Sequence, residues 1–356
     1  MISRCHSLLR AIEQQCTRPW TLMEVCGGQT HALLQHGIDQ LLPPTIRLLH
    51  GPGCPVCVTD LSRMDQALAL AERADHVVCT FGDMLRVPGS DGRTLLDQRS
   101  RGGAVQLVTS PMDVLALAAA HPYRCVVFFA VGFETTAPAT ALLVQRTMAA
   151  GHTNLRILLA HVRVVPVLKQ LLADPGCVVQ GILAAGHVCT VMGDQGLGEL
   201  AQRHRTPVVI TGFTAEDLLR GILLCLQQLE RGSHGLQNAY PRAVQAKGNR
   251  HAQRWLDAVF EPIDTPWRGF GLIPGGGYRL RQPYAHLAMP TPTAGSLGLE
   301  GHENSRPTCC SAQVLQGLLR PTQCPSYANP CTPEQPLGAP MVSSEGACAA
   351  YYRYGR

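Results

Sequence analysis

Residues 124–150 read RCVVFFAVGFETTAPATALLVQRTMAA. Arg124 and the eight β-branched, aromatic and small apolar residues after it make a strand over 124–132. Gly132-Phe133 then turns the chain, and polar residues open an Ala/Leu-rich stretch of helical length from Thr136 to Ala150. An apolar strand without alternation is buried on both faces, which is the mark of a parallel sheet covered by helices. The same wording recurs outward in both directions. Further strands are expected at 45–50 (TIRLLH), 76–81 (HVVCTF), 104–110 (AVQLVTS), 154–160 (NLRILLA), 177–183 (CVVQGIL) and 207–212 (PVVITG). Helices are expected over Asp60–Ala74, Met112–Ala120, Val165–Ala173 and Ala215–Arg231, with a short one over 1–18. Strands separated by helices make the body, about 20–235, an α/β fold.

The chain has 356 residues, which at about 150 per domain suggests two or three domains. The strand number favours two small parallel-sheet lobes, 20–120 and 121–235. FFAVGFETTAP (128–138) and VVITGFTAEDL (208–218) share the strand, Gly-Phe and helix-opening order, a hint of related lobes. From 236 the text changes. YPRAVQAKGNRHAQRWLDAVFEPID suggests a helix and a turn, WRGFGLIPGGGYRLR a Gly-rich loop or short hairpin, and 285–306 a loose surface segment. The stretch 307–356 is rich in cysteine and proline and poor in aliphatic core, so a third, Cys-rich domain at 236–356, joined by helix 1–19 and held by a metal staple, is expected.

Charged residues make up 15% and the AVILMFWYC group 46%, ample for a packed core. A net charge of +5, scattered along the chain, argues against nucleic acid as a partner. No apolar run reaches eighteen residues, so no membrane span is expected. The opening MISRCHSLLRAIEQQC lacks an apolar block ending in a cleavage site, and a cytoplasmic location is the expectation. Fifteen cysteines, an odd number in a long chain, then point to metal ligation, redox chemistry or burial rather than a secreted disulfide framework.

HGPGCPVCVTD (50–60) places Cys54 and Cys57 as a CxxC at a helix opening after a strand, where backbone amides favour a thiolate. A redox-active pair, half of a zinc site and a structural role are the three readings. MEVCGGQTH (23–31) sets Cys26 before two glycines, open to approach and suited to a metal ligand or nucleophile, with His31 five residues on. Asp83 in FGDMLRVP, Glu134 in GFETTAP and His187 in GHVC stand at strand ends, which line the binding crevice in open α/β sheets; ordinary capping is the alternative. Cys309, Cys310, Cys324, Cys331 and Cys348 fit no short zinc-finger spacing, and soft thiolates without histidine allow an iron–sulfur cluster or zinc. Two adjacent cysteines do not both ligate one cluster, so Cys309 or Cys310 is a spare. Cys79, Cys125, Cys177 and Cys225 sit in apolar text and read as small buried hydrophobes.

Together MEVCGGQTH, HGPGCPVCVT, FGDMLRVPG, VGFETTAP, AGHVC and MVSSEGACAAYY resemble the HypD family of nickel–iron hydrogenase maturation proteins, over nearly the whole chain. The resemblance implies two α/β lobes of thioredoxin-like character plus a domain holding a 4Fe-4S cluster. It implies work with a HypC-type small chaperone and a HypE-type cyanide donor. The Fe(CN)2CO moiety is assembled there and passes through the chaperone to the hydrogenase large subunit. Residue by residue, Cys26 matches the thiol that holds iron, transiently carrying CN and CO. Cys54 and Cys57 match the redox dithiol, and Cys309, Cys324, Cys331 and Cys348 match the cluster cysteines. His31, Asp83, Glu134 and His187 fall inside motifs lining the interlobe cleft. The chain departs where the family has Cys-x-Cys-Gly (Cys309-Cys310-Ser311-Ala312), Gly-Ala-Cys-Met (Gly338-Ala339-Pro340-Met341) and Gly-Phe-Glu-Pro (Gly212-Phe213-Thr214-Ala215). The implied function is a redox-competent assembly scaffold. Its rivals are a general iron–sulfur-linked thiol–disulfide oxidoreductase and a purely structural metal protein.

Overall fold

A computed structural model describes residues 2–290 and 309–355. Eleven strands are formed among them: β1 (Trp20–Glu24), β2 (Ile46–His50), β3 (His76–Thr80), β4 (Val105–Leu107), β5 (Cys125–Gly132), β6 (Leu155–His161), β7 (Gly181–Ala185), β8 (Val208–Thr211), β9 (Leu236–Asn238), β10 (Phe260–Trp267) and β11 (Gly271–Leu280). They build two parallel sheets, ordered β2-β1-β7-β8-β9 and β4-β3-β5-β6, and one antiparallel hairpin, β10-β11. The α/β body with two parallel-sheet lobes therefore stands. In β3, β7 and β8 every residue is buried, as continuous apolar strands between helical layers require.

Sheet membership cuts across the boundary at 120. The first sheet draws on 20–50 and 181–238, and the second on 76–161. Two chain crossings, near 60–75 and 162–180, join the sheets. Most helices lie where the apolar text places them: Leu61–Ala71, Asp113–Ala120, Ala137–Ala149, Val164–Ala173, Ala215–Glu230 and the amino-terminal Ile2–Gln15. β7 starts at Gly181 rather than Cys177. Asp174 first turns the chain by accepting from the N–H of Gly176, while its carbonyl takes that of Cys177.

The hairpin is a wedge between lobes. Trp267 is 1% exposed, donates from Nε1 to the Gly276 carbonyl at 2.9 Å and packs beside Phe133 of the second sheet's β5 turn. Arg268 N donates to Val58 O and Arg163 N to Gly276 O, both at 2.9 Å. One apolar core accordingly runs from Met23, Leu49 and Ile182 through Trp267 and Ile273 to Phe133 and Val162.

The expected Cys-rich iron–sulfur domain is not found. Among the described residues no group of three or more His, Cys, Asp or Glu is arranged to hold a metal ion. Residues 309–355 are short helices, Ser311–Leu315, Ala339–Val342 and Ala347–Tyr354, that borrow the core of the lobes. Leu315 joins the interlobe core, Ala339 and Val342 pack with Phe129 and Val131, and Tyr351 packs with Leu34. A segment buried this way needs no metal of its own to fold. Of the loose stretch expected at 285–306, residues 285–290 are described, with Met289 N bonded to Ile157 O at 2.8 Å; the rest lies outside the described residues. No helix among the described residues is long and apolar enough to cross a membrane.

Candidate functional site

The carboxyl end of β1 is closely held by its neighbours. Glu24 closes the strand, and Cys26 is the extended N-cap of helix Gly27–Gln35, its carbonyl accepting from Gln29 N at 2.8 Å and Thr30 N at 3.0 Å. The loop before the CxxC lies directly on it. Gly51 N donates to Glu24 O at 2.8 Å and Gly27 N to Gly53 O at 2.9 Å. Gly53 must be glycine here, because a Cβ would overlap the Cys26 nitrogen and the Val25 carbonyl carbon. Gly27 meets Glu345 in the same way from the carboxyl-terminal segment. Cys26 is 8% exposed. Burial and the Glu24 carboxylate push its thiol up to about 12, while the Gln29 N–H at the helix start pulls the other way.

Around it runs a buried polar chain that the sequence reading did not single out. Glu24 accepts from Cys26 N at 2.8 Å and from the Thr30 hydroxyl, and it is joined to His50 Nδ1 at 2.8 Å. His50 Nε2 in turn meets the Tyr351 hydroxyl at 3.3 Å. Glu24 and His50 are register partners at the ends of β1 and β2. The signal was present: WTLME and TIRLLH are apolar strands that each end on a titratable residue.

The pair Cys54 and Cys57 is a closed disulfide on the one-turn helix Pro55–Val58, after β2 as the spacing predicts. Both residues are almost entirely buried. The remaining stations split into separate places. His31 Nε2 meets the Tyr354 hydroxyl at 3.1 Å, and Asp83 accepts from the Ser343 hydroxyl at 2.8 Å; both line one cavity of about 390 Å³. Glu134 opens on a different cavity, about 610 Å³, walled also by Val25, Arg163, Lys169 and Cys189. It accepts from Val164 N at 3.0 Å, and burial raises its carboxyl to about 7. Burial and the nearby Glu134 charge raise the Cys189 thiol too. His187 is exposed and stacks on Phe213 at 3.8 Å, with partial burial lowering its pKa. Phe213 lies against Gly28, so this stack borders the Cys26 loop. The loop thus lies between two cavities, one reached through Val25 and the other through His31.

Cys309, Cys310, Cys324, Cys331 and Cys348 converge on one small cavity of about 10 Å³ with Gly338 and Pro340. They are gathered without forming a metal-holding group. The Cys309 sulfur points at Gly338, and the Cys331 sulfur accepts from Leu337 N at 3.4 Å. Burial raises the Cys348 and Cys331 thiols, keeping them protonated. The donor atoms suit a soft metal, but this arrangement does not fit an iron–sulfur cluster.

A family model described as "Hydrogenase formation hypA family", HypD, matches residues 3–355. The chain is 42% identical over 355 residues to the hydrogenase expression/formation protein HupD of Azotobacter chroococcum, covering 97% of this chain and 92% of that one. It is 41% identical over 353 residues to the hydrogenase maturation factor HypD of Azotobacter vinelandii, covering 97% and 92%. To HypD of Escherichia coli it is 41% identical over 344 residues, covering 95% and 90%.

Proposed function

The chain belongs to the HypD family of hydrogenase maturation proteins, and from that premise we propose that it holds iron through Cys26 while cyanide and carbonyl ligands are added. Family membership carries the hydrogenase maturation role and suggests metal handling. The iron is cargo, received and passed on. The observation that carries the finer reading is the placement of Cys26 at a helix start, locked from both sides by Gly53 and Glu345 and bordering the 610 Å³ cavity through Val25. A thiol kept protonated by burial releases its proton to solvent when a strong Lewis acid takes the sulfur electron pair, so iron binding and proton release are coupled at Sγ. Amides at the start of helix Gly27–Gln35 then offset the thiolate charge. No preformed set of three ligands surrounds Cys26 among the described residues. A small HypC-type chaperone completing the site, and a HypE-type protein delivering cyanide, meet that need, and the chaperone carries the product to the hydrogenase large subunit.

The Cys54–Cys57 disulfide is the local two-electron store in this reading. Its loop touches the Cys26 loop through Gly53, while its burial keeps unrelated protein disulfides away. That accessibility argues against a general thiol–disulfide oxidoreductase.

The test is Mössbauer spectroscopy of the full chain purified without oxygen from isotopically enriched iron, alone and with its small chaperone. Low-spin iron is expected with the chaperone and absent in Cys26→Ser. Iron retained unchanged in that variant would remove Cys26 from the role. Cys57→Ser is expected to keep the iron site but lose hydrogenase maturation.

A further inference from the structure

We propose that the cavity of about 610 Å³ between the sheets is a binding site for a small organic monocarboxylate, whose charge meets Arg163 and whose carbon chain lies along apolar walls. Position is the first argument. Val25 follows β1, Ala184 and Ala185 end β7, and Glu134 follows β5, so the carboxyl ends of strands from both sheets open on it. That is where open α/β sheets bind their ligands, and the volume is that of a small-molecule pocket.

The charges on its walls do not cancel. Among the described residues Glu134 is the only acid there, against Arg163, Lys169 and Arg203. Lys169 has a partner in Glu199, at 3.8 Å between two exposed side chains. Arg163 and Arg203 have no ion pair among the described residues. Glu134 is turned to a helix start instead, with both oxygens within 3.3 Å of Val164 N.

Arg163 is held in place by the hairpin. Its backbone N–H donates to Gly276 O and its Nη1 to Gly275 O, both at 2.9 Å. The guanidinium carbon lies 5.6 Å from the centroid of the Tyr278 ring. The Nε is buried and has no hydrogen-bond partner among the described residues. A buried donor without an acceptor is costly, and a carboxylate in the cavity supplies the acceptor.

The rest of the wall decides the class of ligand. Val164, Leu168, Val188, Met192 and Leu197 offer carbon, which selects a ligand with an apolar body over a bare inorganic anion. A phosphate ester would bring a second charge beside Glu134 in the same apolar surroundings, whereas a carboxylate carries one and leaves it at Arg163. The proposal does not rest on iron at Cys26, which borders the cavity through Val25.

The full chain, free of iron, is titrated by calorimetry with acetate, butyrate and hexanoate. The uncharged and doubly charged matches of hexanoate, 1-hexanol and hexyl phosphate, are titrated beside them. Affinity is expected to rise about two- to fourfold per added methylene, with 1-hexanol and hexyl phosphate each about tenfold or more weaker than hexanoate. Arg163→Gln is expected to weaken hexanoate about tenfold or more and to leave 1-hexanol unchanged. Val165→Phe, which narrows the cavity from its wall, is expected to weaken both. Thermal melts check that each variant is folded; should Arg163→Gln not fold, the wild-type probe ranking and Val165→Phe decide. No hexanoate binding, no gain with chain length, or hexyl phosphate as tight as hexanoate would overturn the proposal. So would hexanoate binding that is unchanged in either folded variant.

Discussion

Glu134 is a carboxyl group with no counter-charge in hydrogen-bonding distance among the described residues and a raised pKa of about 7, against 4.5 for an ordinary glutamate. The sign follows from which state binds the proton more tightly. The folded chain does, so this stabilising contribution is whole below about pH 4.5 and is lost as pH rises through 7. The loss is on the order of 3 kcal/mol from a shift of this size. Glu134→Gln keeps an acceptor for Val164 N without the ionisation. Its thermal midpoint is expected to match the wild type near pH 4.5 and to exceed it by several degrees at pH 8. Parallel pH profiles would show that the fold does not raise the pKa of this carboxyl. The cysteines were legible in the sequence because chemistry and spacing mark them. Glu24 and His50 were not, since what matters is their juxtaposition at register partners of adjacent strands, and pairing is not written in either strand alone.

Between β2 and helix Pro55–Val58, four residues fold back over the end of β1, and this turn couples the disulfide to Cys26. The obstacle at Gly53 is backbone, which has nowhere to go. Gly53→Ala is expected to cost about 1–3 kcal/mol in a melt and to speed alkylation of Cys26 several-fold by opening its loop. A normal melt with unchanged alkylation would mean the turn is not seated on the Cys26 loop. The control is Gly198→Ala inside helix Leu197–His204, where a Cβ meets nothing; it should gain up to about 1 kcal/mol. Most long elements were legible from apolar period and length. The helices Gly186–Met192 and Leu197–His204 escaped, because glycine and polar residues break their apolar pattern and burial against neighbouring elements overrides propensity. The hairpin β10-β11 was legible in part, as a Gly-rich loop or short hairpin, for its strands carry proline and glycine where a sheet interior would not.

Parallel pairing at the scale of the molecule brings together strands far apart in sequence, and the apolar text of a strand does not say which neighbour it takes. A linear division at 120 therefore separates β1 and β2 from β7–β9, and β3 and β4 from β5 and β6. The carboxyl-terminal segment escaped for a related reason: its own composition lacks a core, and the core it uses belongs to the lobes. The interleaving has a direct consequence for dissection. A chain of residues 1–120 leaves Leu22, Met23, Val77 and Val78, all fully buried in the whole, without the strands that cover them. It is expected to show no cooperative thermal transition. Tyr123 is 97% exposed in the turn before β5, so a protease site inserted at 121–124 is reached without disturbing either sheet. After cleavage there, the two fragments are expected to co-elute at the mass of the intact chain and to melt in one transition, because each sheet is built from both. Fragments that separate, or a 1–120 piece that melts cooperatively alone, would refute the interleaved pairing.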